Sequence, residues 1–341
     1  MSFVDATAQR SARRGFICAG CWTLDRVKLI DAWPEEESLA MIGEIDRQGG
    51  GSAHNVGIAL KRLDAELPVE GIGLLGRDTD GDFLYSRACE YGIDTRQMHR
   101  TDKVANSFTD VMTVKDSGRR TFFHHTGTND LLTPEHFNFK GTSARCMHLG
   151  LLGLHSILDN KWHDSANGWM VILAAARAAG LETSIELVSI DASRIRELAL
   201  PCLPLVDRLI VNDQEIGALS GIETIIAGYA SPDRCLEAAC VVRQIGDASL
   251  VAVHYPGGAV AVDSQGVCYT SESLKLAPEQ IVGAVGAGDA FAAGMLYALH
   301  EGWSVERALH LGHAVAASSL RSATAVESIG ALDECLVLSS C

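Results

Sequence analysis

Short apolar runs bounded by glycine or charge recur along the chain: Phe16-Ile17-Cys18-Ala19, Val69-Glu70-Gly71-Ile72-Gly73-Leu74-Leu75, Cys146-Met147-His148-Leu149, Arg208-Leu209-Ile210-Val211 and Leu250-Val251-Ala252-Val253. Runs of this kind belong to strands covered on both faces. Between them apolar residues return at helical spacing: Val56, Ala59, Leu60 and Leu63; the Ala- and Leu-rich stretch from Met170 to Ala179; then Phe291, Met295, Ala298 and Leu299. The alternation predicts an α/β fold with a mostly parallel central sheet between two helical layers. Ligands in such folds gather at the carboxyl ends of the strands.

Two segments break that rhythm, Asp25 to Gly50 and Val104 to His125. In the second, Ser107 to Val114 and Arg119 to Phe123 flank Asp116-Ser117-Gly118 as the arms of a hairpin. They predict a small β-sheet lid, built from segments at about 26–50 and 104–125, suited to closing over a small ligand and excluding water. No low-complexity linker and no internal repeat divides the chain. One domain is expected over 15–335, with a disordered tail at 1–14 and a short tail at 336–341.

Composition narrows the chemistry. A chain of 341 residues with 47% hydrophobic and 21% charged residues has ample core. Its formal net charge of -15 disfavours nucleic acid and anionic membranes, because neutralising phosphates takes a basic surface. No run approaches the length needed to cross a bilayer. The ten cysteines are scattered, and the lone Cys18-Ala19-Gly20-Cys21 has no second pair at zinc spacing. Reduced thiols and a cytoplasmic location are expected, since Arg10, Arg13 and Arg14 precede no apolar segment of signal-peptide length.

Gly71-Ile72-Gly73-Leu74-Leu75-Gly76 satisfies G-x-G-x-x-G, but its glycines lie inside a strand-like run and lead into Arg77-Asp78-Thr79-Asp80-Gly81, which reads as a turn. A dinucleotide-binding fingerprint follows a strand and opens a helix, so the context argues against a dehydrogenase. No P-loop and no protein-kinase signature occurs. The richest stretch is Gly283-Ala284-Val285-Gly286-Ala287-Gly288-Asp289-Ala290-Phe291. A turn of small residues lets a ligand approach the backbone, and the free amides of a helix start attract an anion. Asp289 then stands beside that anion site, either as a helix cap or as a proton acceptor.

This turn and the earlier Gly49-Gly50-Gly51-Ser52-Ala53-His54-Asn55 resemble the two signatures of the ribokinase-like (PfkB) carbohydrate kinase family. Gly20-Cys21-Trp22-Thr23-Leu24-Asp25 is similar to the family's first strand end with its substrate aspartate, and Asn212-Asp213-Gln214-Glu215 to its N-x-x-E motif. The resemblance spans nearly the whole chain. It implies a ribokinase-like fold and ATP-dependent phosphorylation of a hydroxyl on a small sugar or sugar derivative, with a nucleoside as the alternative acceptor and a non-catalytic ligand-binding relative of the same fold as the alternative class. Asp289 would be the base, and the backbone of Gly286, Ala287, Gly288 and Asp289 would hold the γ-phosphoryl oxygens. Asp25, Gly50, Gly51 and Asn55 would bind the sugar. Asn212, Glu215, Gly258 and His313 would serve the nucleotide, with Glu215 acting on Mg²⁺ through water. His124 and His125 point to opposite faces of a strand, one of them near substrate. The resemblance also implies a possible homodimer through the lid.

Several positions depart from the family's pattern. Gly283 and Ala284 replace an Asp-Thr pair whose aspartate helps bind an activating potassium ion, so potassium activation is not expected. The nucleotide loop Val253-His254-Tyr255-Pro256-Gly257-Gly258 keeps only its later glycine. Gly150 stands where ribokinase has a second sugar-binding acid, and Ser52 where it has a lysine, which points away from ribose.

Overall fold

The computed structural model describes residues 13–338. The chain runs β1 (Phe16–Gly20), β2 (Thr23–Ile30), β3 (Ile42–Gly50), α1 (Ser52–Leu63), β4 (Val69–Gly76), α2 (Thr79–Glu90), β5 (Asp94–Thr101), β6 (Phe108–Val114), β7 (Arg120–His125) and β8 (Cys146–Leu152). It continues through α3 (Gly168–Ala178), β9 (Glu182–Leu187), α4 (Ala192–Ala199), β10 (Arg208–Asn212), α5 (Asp213–Ser220), a ribbon of β11 (Ile225–Ile226) and β12 (Tyr229–Ala230), and α6 (Pro232–Gly246). It closes with β13 (Leu250–Tyr255), β14 (Gly258–Asp263), β15 (Cys268–Glu272), α7 (Ala287–His300), α8 (Val305–Ser319) and α9 (Leu332–Leu338).

Nine strands form the central sheet in the order β15-β14-β13-β10-β9-β8-β1-β4-β5. The pairs from β13 to β5 are parallel, whereas β14 pairs antiparallel with both β13 and β15. Each buried strand feeds both helical layers, because successive side chains point to opposite faces. Phe16 and Cys18 of β1 pack with α1, α7 and α8, whereas Ile17 and Ala19 pack with α3, α5 and α6. The sheet and both layers are those the apolar runs predict.

A second, four-stranded sheet of order β3-β2-β6-β7 stands apart. β2 pairs antiparallel with β3 and parallel with β6, and β6 pairs antiparallel with β7. Two residues, Cys21 and Trp22, join β1 to β2, so the lid springs directly from the middle of the main sheet. Trp22 is fully buried, and its indole N–H donates to the Ile72 carbonyl at 3.2 Å. A Cβ on Gly73 would lie 2.5 Å from Trp22 Cδ1, and one on Gly71 3.1 Å from Cζ2. The glycines of the G-x-G-x-x-G sequence therefore seat an indole within β4.

The structure corrects the turn expected at Arg77 to Gly81. Thr79 opens a helix instead, because Asp78 caps it by accepting the Gly81 N–H at 2.8 Å. β9 has no counterpart among the apolar runs, since Thr183, Ser184 and Glu186 interrupt its pattern. At the ends, the tail expected at 1–14 lies outside the described residues except for Arg13 and Arg14. Arg13 Nη1 donates to the Ala179 carbonyl at 2.8 Å and Arg14 pairs with Asp64 at 2.6 Å. α9 carries three residues past the expected boundary at 335, with Cys335 buried against the core, while 339–341 lie outside the described residues. No described helix is long and apolar enough to cross a membrane.

Candidate active site

The glycine-rich turn enters α7 through Gly286, which adopts the left-handed conformation (φ 71°) as N-cap. No other residue fits there easily: a Cβ would sit 2.5 Å from Ala325 Cβ. Ala287, Gly288 and Asp289 form the first turn of α7, where backbone amides have no helical acceptor. Asp289 Oδ2 accepts from Asn55 Nδ2 at 2.8 Å. With its amide nitrogen turned to Asp289, Asn55 offers its oxygen to His54 Nδ1 at 2.9 Å. α1 thus presents Asn55 to Asp289, and a neutral His54 orients Asn55, burial having pushed that imidazole down to about 4.

Glu186, at the carboxyl end of β9, makes a side-chain hydrogen bond with Asp289. Desolvation first, then the charge and hydrogen bond of Glu186, raise the Asp289 carboxyl well above the ordinary range, against the opposing bond from Asn55. Burial likewise pushes Glu186 up to about 7. Two carboxyls in contact with little water hold one proton between them. His148 on β8 steadies the pair, its Nε2 lying 2.9 Å from Glu186 Oε2 and its Nδ1 3.1 Å from Ser184 Oγ. Neither Glu186 nor His148 belongs to a motif legible in the sequence. Both sit on strands and meet Asp289 only through sheet order.

Asp25 lies on the lid strand β2, and burial raises its carboxyl to about 7. Gly50 faces it: a Cβ there would fall 2.3 Å from Asp25 Oδ2. Gly51 (φ 82°) brings the chain against the Cys21 carbonyl at the start of α1. Gly150 and Ser52 prove to be neighbours, since a Cβ on Gly150 would lie 2.2 Å from Ser52 Oγ and 3.3 Å from Glu186 Cβ. Ser52 Oγ itself is buried without a partner.

On the other side of the turn lies a cavity of about 840 Å³ whose wall includes Asn212, His254, Tyr255, Ala287, Gly288 and His313. His254, Phe291 and His313 form an aromatic file along it, with centroids 5.2 Å and 5.1 Å apart. Asn212 and His313 are on this wall, while Glu215 and Gly258 are not. Glu215 closes a capping box at the start of α5, accepting from the Asn212 N–H at 3.1 Å and from Ser189 Oγ at 3.0 Å. Gly258 opens β14, where a Cβ would press to 2.4 Å of the Ser271 carbonyl, so its need for glycine is met within the sheet. Among the described residues no three His, Cys, Asp or Glu side chains converge as a ready metal centre.

A buried carboxyl near both a large cavity and the lid marks the candidate site, and comparison with known proteins gives the chain a family. The model of the pfkB family carbohydrate kinases matches residues 23–331, and the chain belongs to that family, as an ATP-dependent carbohydrate kinase. It is 27% identical over 321 residues to an ATP-dependent ribose-1-phosphate kinase of Halopiger xanaduensis, covering 92% of this chain and 96% of the relative. It is 24% identical over 294 residues to a 5-dehydro-2-deoxygluconokinase of Clostridium tetani, covering 84% and 82%. Among solved structures, the ribokinase of Thermotoga maritima superposes with a TM-score of 0.77 at 19% identity, over 96% of this chain and 100% of that one. The fold is thus ribokinase-like.

Proposed function

We propose that this kinase transfers the γ-phosphoryl group of ATP to a hydroxyl of a small sugar or sugar derivative, with Asp289 as the general base. The observation that carries this reading is the position of Asp289: first turn of α7, bonded to Asn55, in contact with Glu186, and beside the Ala287-Gly288 wall of the large cavity. Asp25, Asn55 and the Gly50-Gly51 backbone hold the sugar with one hydroxyl toward Asp289 Oδ. When the shared proton rests on Glu186, Asp289 is ionised and takes the hydroxyl proton as the sugar oxygen attacks in line. Amides of Gly286, Ala287, Gly288 and Asp289 receive the charge on the transferring oxygens, and the lid keeps water from competing.

Asp213 places a hard oxygen donor at the Asn212 edge of the cavity, the kind of donor Mg²⁺ takes, with Glu215 behind it holding Asn212 and Ser189, so the residues fit that ion held through water. Bound there with the nucleotide, Mg²⁺ would neutralise phosphate charge. Potassium has less to hold it. A Cβ on Gly283 would come 2.6 Å from the Ser322 carbonyl and 3.0 Å from Ala323 Cα, so the turn is packed around the missing side chain.

ADP release measured with Mg-ATP and panels of sugars, keto-deoxy acids and nucleosides tests the reading and separates a sugar from a nucleoside acceptor. On the best substrate, Asp289→Asn is expected to lower kcat by roughly 10²- to 10⁴-fold. Near-normal turnover in that variant would remove Asp289 from the role of base.

A further inference from the structure

The register of the lid puts four polar side chains in one row on one face. Asp25 of β2 pairs directly with Gln48 of β3 and with Thr109 of β6, and Thr109 pairs with His124 of β7. Residues directly opposite across paired strands share a face, so Gln48, Asp25, Thr109 and His124 lie side by side along the surface that carries Asp25. Hydrogen bonding orders the row. The Thr109 hydroxyl bonds the Asp25 carboxyl and also lies 3.0 Å from His124 Nδ1. A hydroxyl has one proton to give. Given to Asp25, it leaves Thr109 Oγ1 as the acceptor, and His124 Nδ1 must be the ring nitrogen that carries hydrogen. His124 Nε2 is then a bare lone pair, and it is buried with no partner in the protein. Burial, with the charge of His125 next, favours the neutral ring over the imidazolium.

We propose that His124 reads the substrate: its Nε2 accepts a hydroxyl of the sugar bound at Asp25, and it selects a neutral sugar over one bearing phosphate or carboxylate at that end. A hydroxyl can donate to the lone pair, whereas an ionised phosphate or carboxylate brings only lone pairs of its own and leaves the buried nitrogen unsatisfied. A site built to bond a hydroxyl rejects analogues lacking it far more strongly than an apolar pocket rejects a missing methylene. The inference rests on the kinase reading for the identity of the site, but its readout is equilibrium binding.

Calorimetric titration of D-ribose, D-fructose and D-gluconate, and of the monophosphates of the two neutral sugars, identifies the tightest-binding compound. Its monodeoxy series is then titrated into the wild type, His124→Ala and His124→Gln. One deoxy position is expected to cost the wild type roughly ten- to a hundredfold in Kd. His124→Ala should bind the parent and that one analogue equally while still rejecting the others, and His124→Gln, which keeps an acceptor, should recover part of the difference. If His124→Ala fails to fold by circular dichroism, His124→Phe supplies a ring without an acceptor. The proposal is overturned if the variants reject every deoxy analogue as the wild type does, if a monophosphate binds as tightly as its neutral parent at that hydroxyl, or if no sugar binds. Binding and selectivity without ADP release would overturn the kinase reading and leave this one standing. ADP release with unchanged selectivity would do the reverse.

Discussion

Asp289 shares its environment with a second acid, and that has a measurable sign. Burial first, then the charge and hydrogen bond of Glu186, raise the Asp289 carboxyl, so activity is expected to fall as pH drops through a range above that of an ordinary carboxylate. Glu186→Gln removes the repelling charge and lets Asp289 ionise more readily. The acid limb of kcat/KM against pH is expected to move to lower pH in that variant, and a limb that stays in place would mean that Glu186 does not govern the base. Asp289, Asp25 and Asn55 were legible from the sequence because each sits in a short motif whose glycines announce it. Glu186 and His148 were not, because nothing local marks them. Glu186 lies in a strand of mixed polarity, and its partner is more than a hundred residues away.

At the scale of elements, the glycines of β3 and β4 do opposite work. Gly71 and Gly73 clear room for Trp22, which is why a dinucleotide-like sequence can lie within a strand. Gly50 clears room for Asp25 where β3 turns into α1. Gly50→Ala is expected to raise the sugar KM by about tenfold or more with a smaller change in kcat, since the methyl displaces Asp25, the carboxylate proposed to bind the sugar, while leaving Asp289 in place. Steady-state kinetics at saturating ATP would show the split. β1, β4, β8, β10 and β13 were legible as apolar runs and α1, α3 and α7 by their period; β5 and β15 carry too many polar residues to form such a run, and β14 was not among those runs. β9 escaped because its polar residues serve the site, and α2 because Asp78, Thr79 and Asp80 read equally as a turn until the capping bond to Gly81 is seen.

For the molecule as a whole, the lid leaves Leu39, Met41, Ile45, Phe122 and Phe123 exposed, with Trp33 stacked on Phe123 at 6.1 Å. Exposed apolar side chains on a small sheet invite a partner, and the proposed homodimer through the lid would cover some of them. Sedimentation should show a dimer for the wild type and a monomer for Ile45→Asp combined with Phe123→Asp; a wild-type monomer at micromolar concentration would end that proposal. The packed turn at Gly283 makes a second whole-enzyme expectation. Replacing potassium by tetramethylammonium should leave the rate nearly unchanged, and loss of most activity would show a cation site elsewhere. Cys21 and Trp22 join β1 to the lid and Gly51 joins the lid to α1, so Asp25 lies on the lid sheet while Asp289 belongs to α7. On the proposed reading, sugar and base are therefore held by different parts of the protein. On that reading, ATP alone meets Asp289 with no hydroxyl presented from the lid, and its idle hydrolysis is expected to be slow.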